Sequence, residues 1–158
     1  MKIYISQTLI FFSLMGCSSS NTNKNSSLFL KDEIKSILTC ATQRDSIATE
    51  VSSVSVGWHL DHILLTINQI YSALEKSNPE DFCESLNTGK SMLFAFDEMP
   101  LRQAKAIENV RPPKLITIEK NNLDYELAKS NILQMDSLPN NAYFTHPDFG
   151  VLKKNEAK

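Results

Sequence analysis

Between Ser55 and the pair Asn78-Pro79, apolar residues recur every three or four positions: Leu60, Ile63, Leu64, Ile67, Tyr71 and Leu74. At about 100° per residue they fall on one stripe of a helix. Ser55 is a suitable N-cap, and Asn78-Pro79 stops the run, with Pro79 suited to open a following helix. The helix so defined is about 30 Å long and apolar along one whole face. It is not stable alone in water, so the rest of the chain must supply partners that cover the stripe.

Those partners also read as helical. Leu28 to about Glu50 carries Leu30, Ile34, Ile37, Ala41 and Ala48 at helical spacing, and the β-branched and serine residues of Val51–Val54 break it. A further helix is expected from about Pro79 to Glu98, with Met92, Leu93 and Phe96 on its apolar face and Asn87-Thr88-Gly89 interrupting it. Met99 to Ile116, punctuated by Pro100, Pro112 and Pro113, reads as a long connection, either functional or packed on the surface as a lid. A last helix is capped by Thr117, carries Glu119 in its first turn, and runs through Leu123, Leu127 and Met135 to Leu138 before Pro139-Asn140-Asn141. No alternating run of useful length occurs, so a sheet is not expected. The fold class is therefore all-α, an antiparallel four-helix bundle.

The 158 residues suffice for one core, and 42% apolar with 22% charged residues is the balance of a globular chain. A net charge of −2 and the lack of a basic stripe argue against nucleic acid as a partner. The N-terminus lies outside the domain. Lys2 precedes an apolar run, Ile3 to Met15, too short to cross a hydrocarbon core of about 30 Å, which favours a signal peptide. Leu14-Met15-Gly16-Cys17 resembles a bacterial lipobox, and the resemblance implies cleavage before Cys17 and lipidation of its thiol. Residues 1–16 are then a lipoprotein signal peptide, and 17–27 (rich in Ser and Asn) a flexible tether. Residues 28–158 form the domain. The expected setting is a bacterial cell envelope, with the membrane as a partner through the lipid on Cys17. Cys40 and Cys83 remain, and in an oxidising envelope they either pair or stay as thiols.

All three histidines lie in two short segments, SVGWHLDHILL (Ser55–Leu65) and YFTHPDFGVL (Tyr143–Leu152). On the long helix His62 points about 160° from the centre of the stripe and His59 about 100°, one turn apart on the same flank. Such positions fit either plain exposure or a site at the bundle's edge. Trp58 offers a ring contact, and Asp61 a carboxylate that could orient an imidazole.

SVGWHLDHIL, then NQIYSALEKSNPEDF and the distant NAYFTHPDFGVL, resemble the DinB-like superfamily, more narrowly a bacterial lipoprotein branch of unknown function. The likeness runs from about Leu28 to Leu152. It implies an antiparallel four-helix bundle with a divalent metal, nickel or zinc, held by one histidine of the second helix and two of a final helix. His62 matches the second-helix ligand, following Ser55 and Leu60 at the family's spacing. His59 belongs to a WHxDH variant, and His146 lies in the turn before the final helix, where Pro147 and Gly150 suit a tight turn and Phe144 and Phe149 pack it onto the bundle.

The expected metal ligands are thus His62 first, then His59 and His146. The family's final-helix pair has no counterpart, because no histidine follows His146. An imidazole site normally needs three protein ligands. The expectation is a domain lacking its final helix, with Val151 to Lys158 as that helix's first residues. Three readings follow: an enzyme in which a bound metal activates a thiolate or water, a non-catalytic lipoprotein that binds a small molecule or protein, or an inactive remnant. Dimerisation is left open.

Overall fold

The computed structural model describes residues 26–84, 106–114 and 116–156. Among the described residues there are three α-helices and one β-hairpin, with short 3-10 turns between them: α1 Ser26–Cys40, α2 Val56–Lys76, α3 Ile118–Met135, β1 Tyr143–His146 and β2 Gly150–Lys153. The domain is mostly helical with a small two-stranded sheet. The expected helix from Pro79 to Glu98 does not start at Pro79. Pro79–Asp81 is a single 3-10 turn and Phe82–Glu84 is irregular, while 85–98 lie outside the described residues.

Helix α2 starts where its sequence says it should. Ser55 is extended and its hydroxyl accepts the Trp58 amide at 3.2 Å. Two further donors of the first turn are met by backbone: Val56 N–H donates to the Ser46 carbonyl (2.9 Å) and Gly57 N–H to the Arg44 carbonyl (2.8 Å). This explains why α1 ends at Cys40, with one 3-10 turn to Gln43, rather than near Glu50. The chain must leave the helical path by Arg44 to bring the Arg44 and Ser46 carbonyls over the start of α2. Thr117 caps α3 in the same way as Ser55 caps α2, accepting the Lys120 amide at 3.2 Å.

The apolar stripes meet in two clusters. The upper one joins Ile34 and Ile37 of α1, Leu60 and Leu64 of α2, and Tyr125, Ala128 and Ile132 of α3. The lower one joins Tyr71 and Leu74 of α2 and Met135 of α3 to Ala142, Phe144 and Leu152 of the hairpin. Leu64, Leu74 and Ile132 are fully buried, each contributing about 2 kcal/mol by burial. Alongside the upper cluster the α2–α3 contact is also polar. The Asn68 amide donates to the Asp124 carbonyl (3.3 Å), and Asn131 donates to the Asn68 side-chain oxygen (3.0 Å).

The hairpin overturns the expectation of no sheet, and with it the reading of Val151–Lys158 as the start of a helix. Gly150–Lys153 is a strand, and Lys154–Glu156 a 3-10 turn. Phe144 pairs with Leu152 and His146 with Gly150 in antiparallel register. Strands this short give too little alternation to be seen by period. Their signal lies in the turn: Pro147-Asp148-Phe149 followed by Gly150 at φ 71° is the three-residue hairpin loop that needs a left-handed residue. As expected, Phe144 is buried against the helices and Phe149 packs on the same cluster. The hairpin is pinned to the end of α2 by Tyr143 N–H donating to the Ser77 hydroxyl (3.1 Å) and Asn141 to the Pro79 carbonyl (2.8 Å). Lys154 is buried, and its ammonium donates to the carbonyls of Asp136 and Leu138 just past the end of α3, where backbone acceptors lack helical donors.

Candidate functional site

The first two turns of α2 carry Trp58, His59 and His62 on its outer flank, as the helical phase requires. His62 stacks on the Trp58 indole, with centroids 5.1 Å apart and planes 24° from parallel, and His59 meets the same ring edge-on at 5.4 Å. The ring contact expected of Trp58 is therefore made with both imidazoles.

His62 is half-buried, and its Nδ1 lies 2.7 Å from the carbonyl oxygen of Val110. A carbonyl only accepts, so Nδ1 carries the proton and the neutral ring keeps its lone pair on Nε2. Val110 closes a 3-10 turn, Glu108–Val110, and is itself buried, as is Pro112. The contact ties the proline-rich connection to α2. No feature of the sequence marks the Val110 carbonyl as a partner, because any residue supplies one.

His59 is exposed, and its Nε2 lies 3.0 Å from the Ser52 hydroxyl. That is the contact of a nucleophile with its base, but the Ser52 oxygen also accepts the Val54 amide at 3.3 Å. A working dyad also needs a group that orients the other face of the ring.

Asp61 turns the other way, correcting its expected role beside the imidazoles. Its side chain is buried between α2 and α3, with one oxygen 2.6 Å from the Arg44 guanidinium and the other 2.6 Å from the Asn121 amide. Its function there is structural.

His146 lies at the hairpin turn. Its Nδ1 accepts the backbone N–H of Asp148 (3.1 Å) and of Phe149 (3.3 Å), and its ring stacks on Phe149 with centroids 4.4 Å apart. Burial holds its pKa below the usual imidazole value, partly offset by the neighbouring Asp148 carboxylate. The hairpin packs around Tyr71 and Leu74, which lie about 14 to 18 Å of helix rise beyond His62. The structure therefore gives His146 to the turn.

Among the described residues no group of three or more histidine, cysteine, aspartate or glutamate side chains is placed to hold a metal ion. His62 meets the requirement of a ligand whose other ring nitrogen is anchored, here on a backbone carbonyl that can only accept. The set His59, His62 and His146 does not fit a three-imidazole site. Cys40 and Cys83 are both exposed free thiols. Cys17 lies outside the described residues, among which no helix is long and apolar enough to cross a membrane.

No family model, characterised protein or solved structure matches the chain.

Proposed function

We propose that the chain is an exported, lipid-anchored protein of a bacterial cell envelope, whose domain derives from the DinB-like four-helix, metal-binding bundles and acts by binding rather than catalysis. The observation that carries this reading is the imidazole of His62, held on a backbone carbonyl without a second imidazole beside it in a ligand set among the described residues. His62 keeps the geometry of a ligand, with Nδ1–H fixed on the Val110 carbonyl and Nε2 bearing the lone pair. Neither His59, engaged with Ser52, nor His146, engaged with its own turn, joins it. Trp58 beside His62 adds a flat apolar surface to the same spot. The lipid on Cys17 and the Ser/Asn-rich tether between it and α1 hold this domain near the membrane surface.

Metal content of the purified mature domain, with and without nickel or zinc reconstitution, separates this reading from a metal enzyme. Under the binding reading the domain holds well under about a tenth of an equivalent of metal, because a lone imidazole binds divalent ions weakly. Stoichiometric nickel or zinc lost in His62→Ala would overturn it in favour of a metal-dependent enzyme. Incorporation of labelled palmitate, abolished by Cys17→Ser, tests the anchor separately. A chain that takes up no lipid sinks that part of the proposal.

A further inference from the structure

His146 serves its turn through a lone pair rather than a proton. Both amides of the hairpin loop that follow Pro147, those of Asp148 and Phe149, donate to its Nδ1, at 3.1 and 3.3 Å. The proton of the neutral ring is therefore on Nε2. This is the role an asparagine or aspartate oxygen usually plays in a turn, filled here by a group that titrates near neutrality. The ring also carries packing: it stacks on Phe149, which lies against the lower core with Ile70 and Leu138.

We propose that the hairpin turn is a pH-sensitive device, in which protonation of His146 at Nδ1 removes the acceptor that holds the Asp148 and Phe149 amides and the turn opens on acidification. The proton comes from solvent and goes to Nδ1, and no covalent bond changes. An imidazolium has a donor on both nitrogens and can accept neither amide. The Asp148 carboxylate on the same turn favours the imidazolium, yet burial of the ring outweighs it. Lys153, Glu84 and Glu156 cluster around the open end of the hairpin, where Lys153 faces the Glu84 carboxylate and Glu156 accepts the Lys153 amide. Lys153, which both glutamates contact, is three register positions from the His146–Gly150 pair, about 10 Å along the strand. Among the described residues Asp148 is the charged group that acts on the ring. Opening would release Phe149 from the lower core while Phe144 and Leu152, further along the strands, stay buried.

Amide hydrogen exchange of the full chain by NMR, corrected for intrinsic exchange, tests this between about pH 7.5 and about pH 4.5. The expected result is a protection loss of about fivefold or more at Asp148 and Phe149, with Leu152 unchanged, as expected for losing hydrogen bonds of ordinary strength. His146→Asn keeps an acceptor that does not titrate, so its protection should stay flat across the range. His146→Ala should lack that protection at every pH. Equal protection at both ends of the range in the parent chain would overturn the proposal. A pH-dependent fall persisting in His146→Asn would do the same, by moving the titration to Asp148. Should His146→Ala fail to fold, the parent and His146→Asn profiles still decide.

Discussion

Arg44 and Asp61 form the ion pair that locks the start of α2 to the rest of the domain. The guanidinium comes from the segment that follows α1, and the carboxylate from the second turn of α2, at 2.6 Å. The aspartate is almost fully buried and also accepts from Asn121 of α3, so one side chain joins α2 and α3 to the segment that follows α1. Asp61→Ala leaves a partly buried guanidinium and an amide without their acceptor. The expected loss is about 2–4 kcal/mol of unfolding free energy, read by urea denaturation. Arg44→Met, which removes the opposite charge but leaves the carboxylate buried, should cost a similar amount. A loss under about 0.5 kcal/mol in both would show that the pair is a surface contact in effect.

Gly57 sits under Arg44 for a steric reason. A methyl group at Gly57 would lie 3.0 Å from the Arg44 carbonyl oxygen and 3.1 Å from its Cβ. That same carbonyl accepts the Gly57 amide, so it cannot retreat without breaking a hydrogen bond. Gly57→Ala should gain about 1 kcal/mol of helix propensity and lose about 1–3 kcal/mol to overpacking. The net expectation is destabilisation, seen as a lowered Tm. A raised Tm would mean that the loop yields freely.

His62 fastens the connection around Val110 to α2. His62→Ala removes the hydrogen bond to the Val110 carbonyl and the stacked face of Trp58, an expected loss of about 1–2 kcal/mol. Trp58 is the only tryptophan, so its fluorescence reports the change directly. His62→Gln can still donate to the carbonyl and should recover part of the stability but not the tryptophan signal. Faster proteolysis within residues 106–114 in His62→Ala would accompany both effects.

Stability should fall toward acid for two separate reasons. His146 has a lowered pKa in the folded state, so the unfolded chain takes up its proton first and stability is lost as pH drops below the ordinary imidazole range. Glu119, in the first turn of α3, is held below the usual carboxylate range by its own amide and by the Thr117 hydroxyl. Its contribution is present above the ordinary glutamate value and lost at lower pH. At the alkaline end, burial and the neighbouring Glu75 carboxylate raise the Tyr71 phenol. The stabilisation from its neutral form is full below about pH 10 and lost above it. Denaturation midpoints against pH check each limb: His146→Asn should remove the imidazole part of the acid limb and leave the Glu119 part, and Tyr71→Phe should flatten the alkaline limb alone.

Much of the helical frame was legible from local signals. The Ser55 and Thr117 caps and the stop at Asn78-Pro79 depend on side chains and φ restrictions close in sequence, and α2 and α3 run close to where those signals place them. Helix α1 was overrun, because the carbonyls that end it serve donors of α2, a contact no periodicity encodes. The hairpin was missed since each strand is four residues long, although HPDFG held its turn. Of the candidate site, the helical phase placed His59 and His62 on the outer flank. The roles of Asp61 and His146 came out differently, because their partners, Arg44, Asn121 and two loop amides, are set by packing.

The sequence by itself determined where α2 and α3 start and stop, which of their faces are apolar, and that its histidines are few and clustered in two places. Periodicity and capping act over one or two turns, so one chain is enough to read them. Only the tertiary structure decided what each polar group does. A buried aspartate beside two histidines proved to be half of an interhelical ion pair, and a histidine that looked like a ligand proved to be the acceptor of a hairpin turn. Hydrogen bonds act over about 3 Å, and which groups come that close is settled by how helices and strands stack, after the local structure is formed.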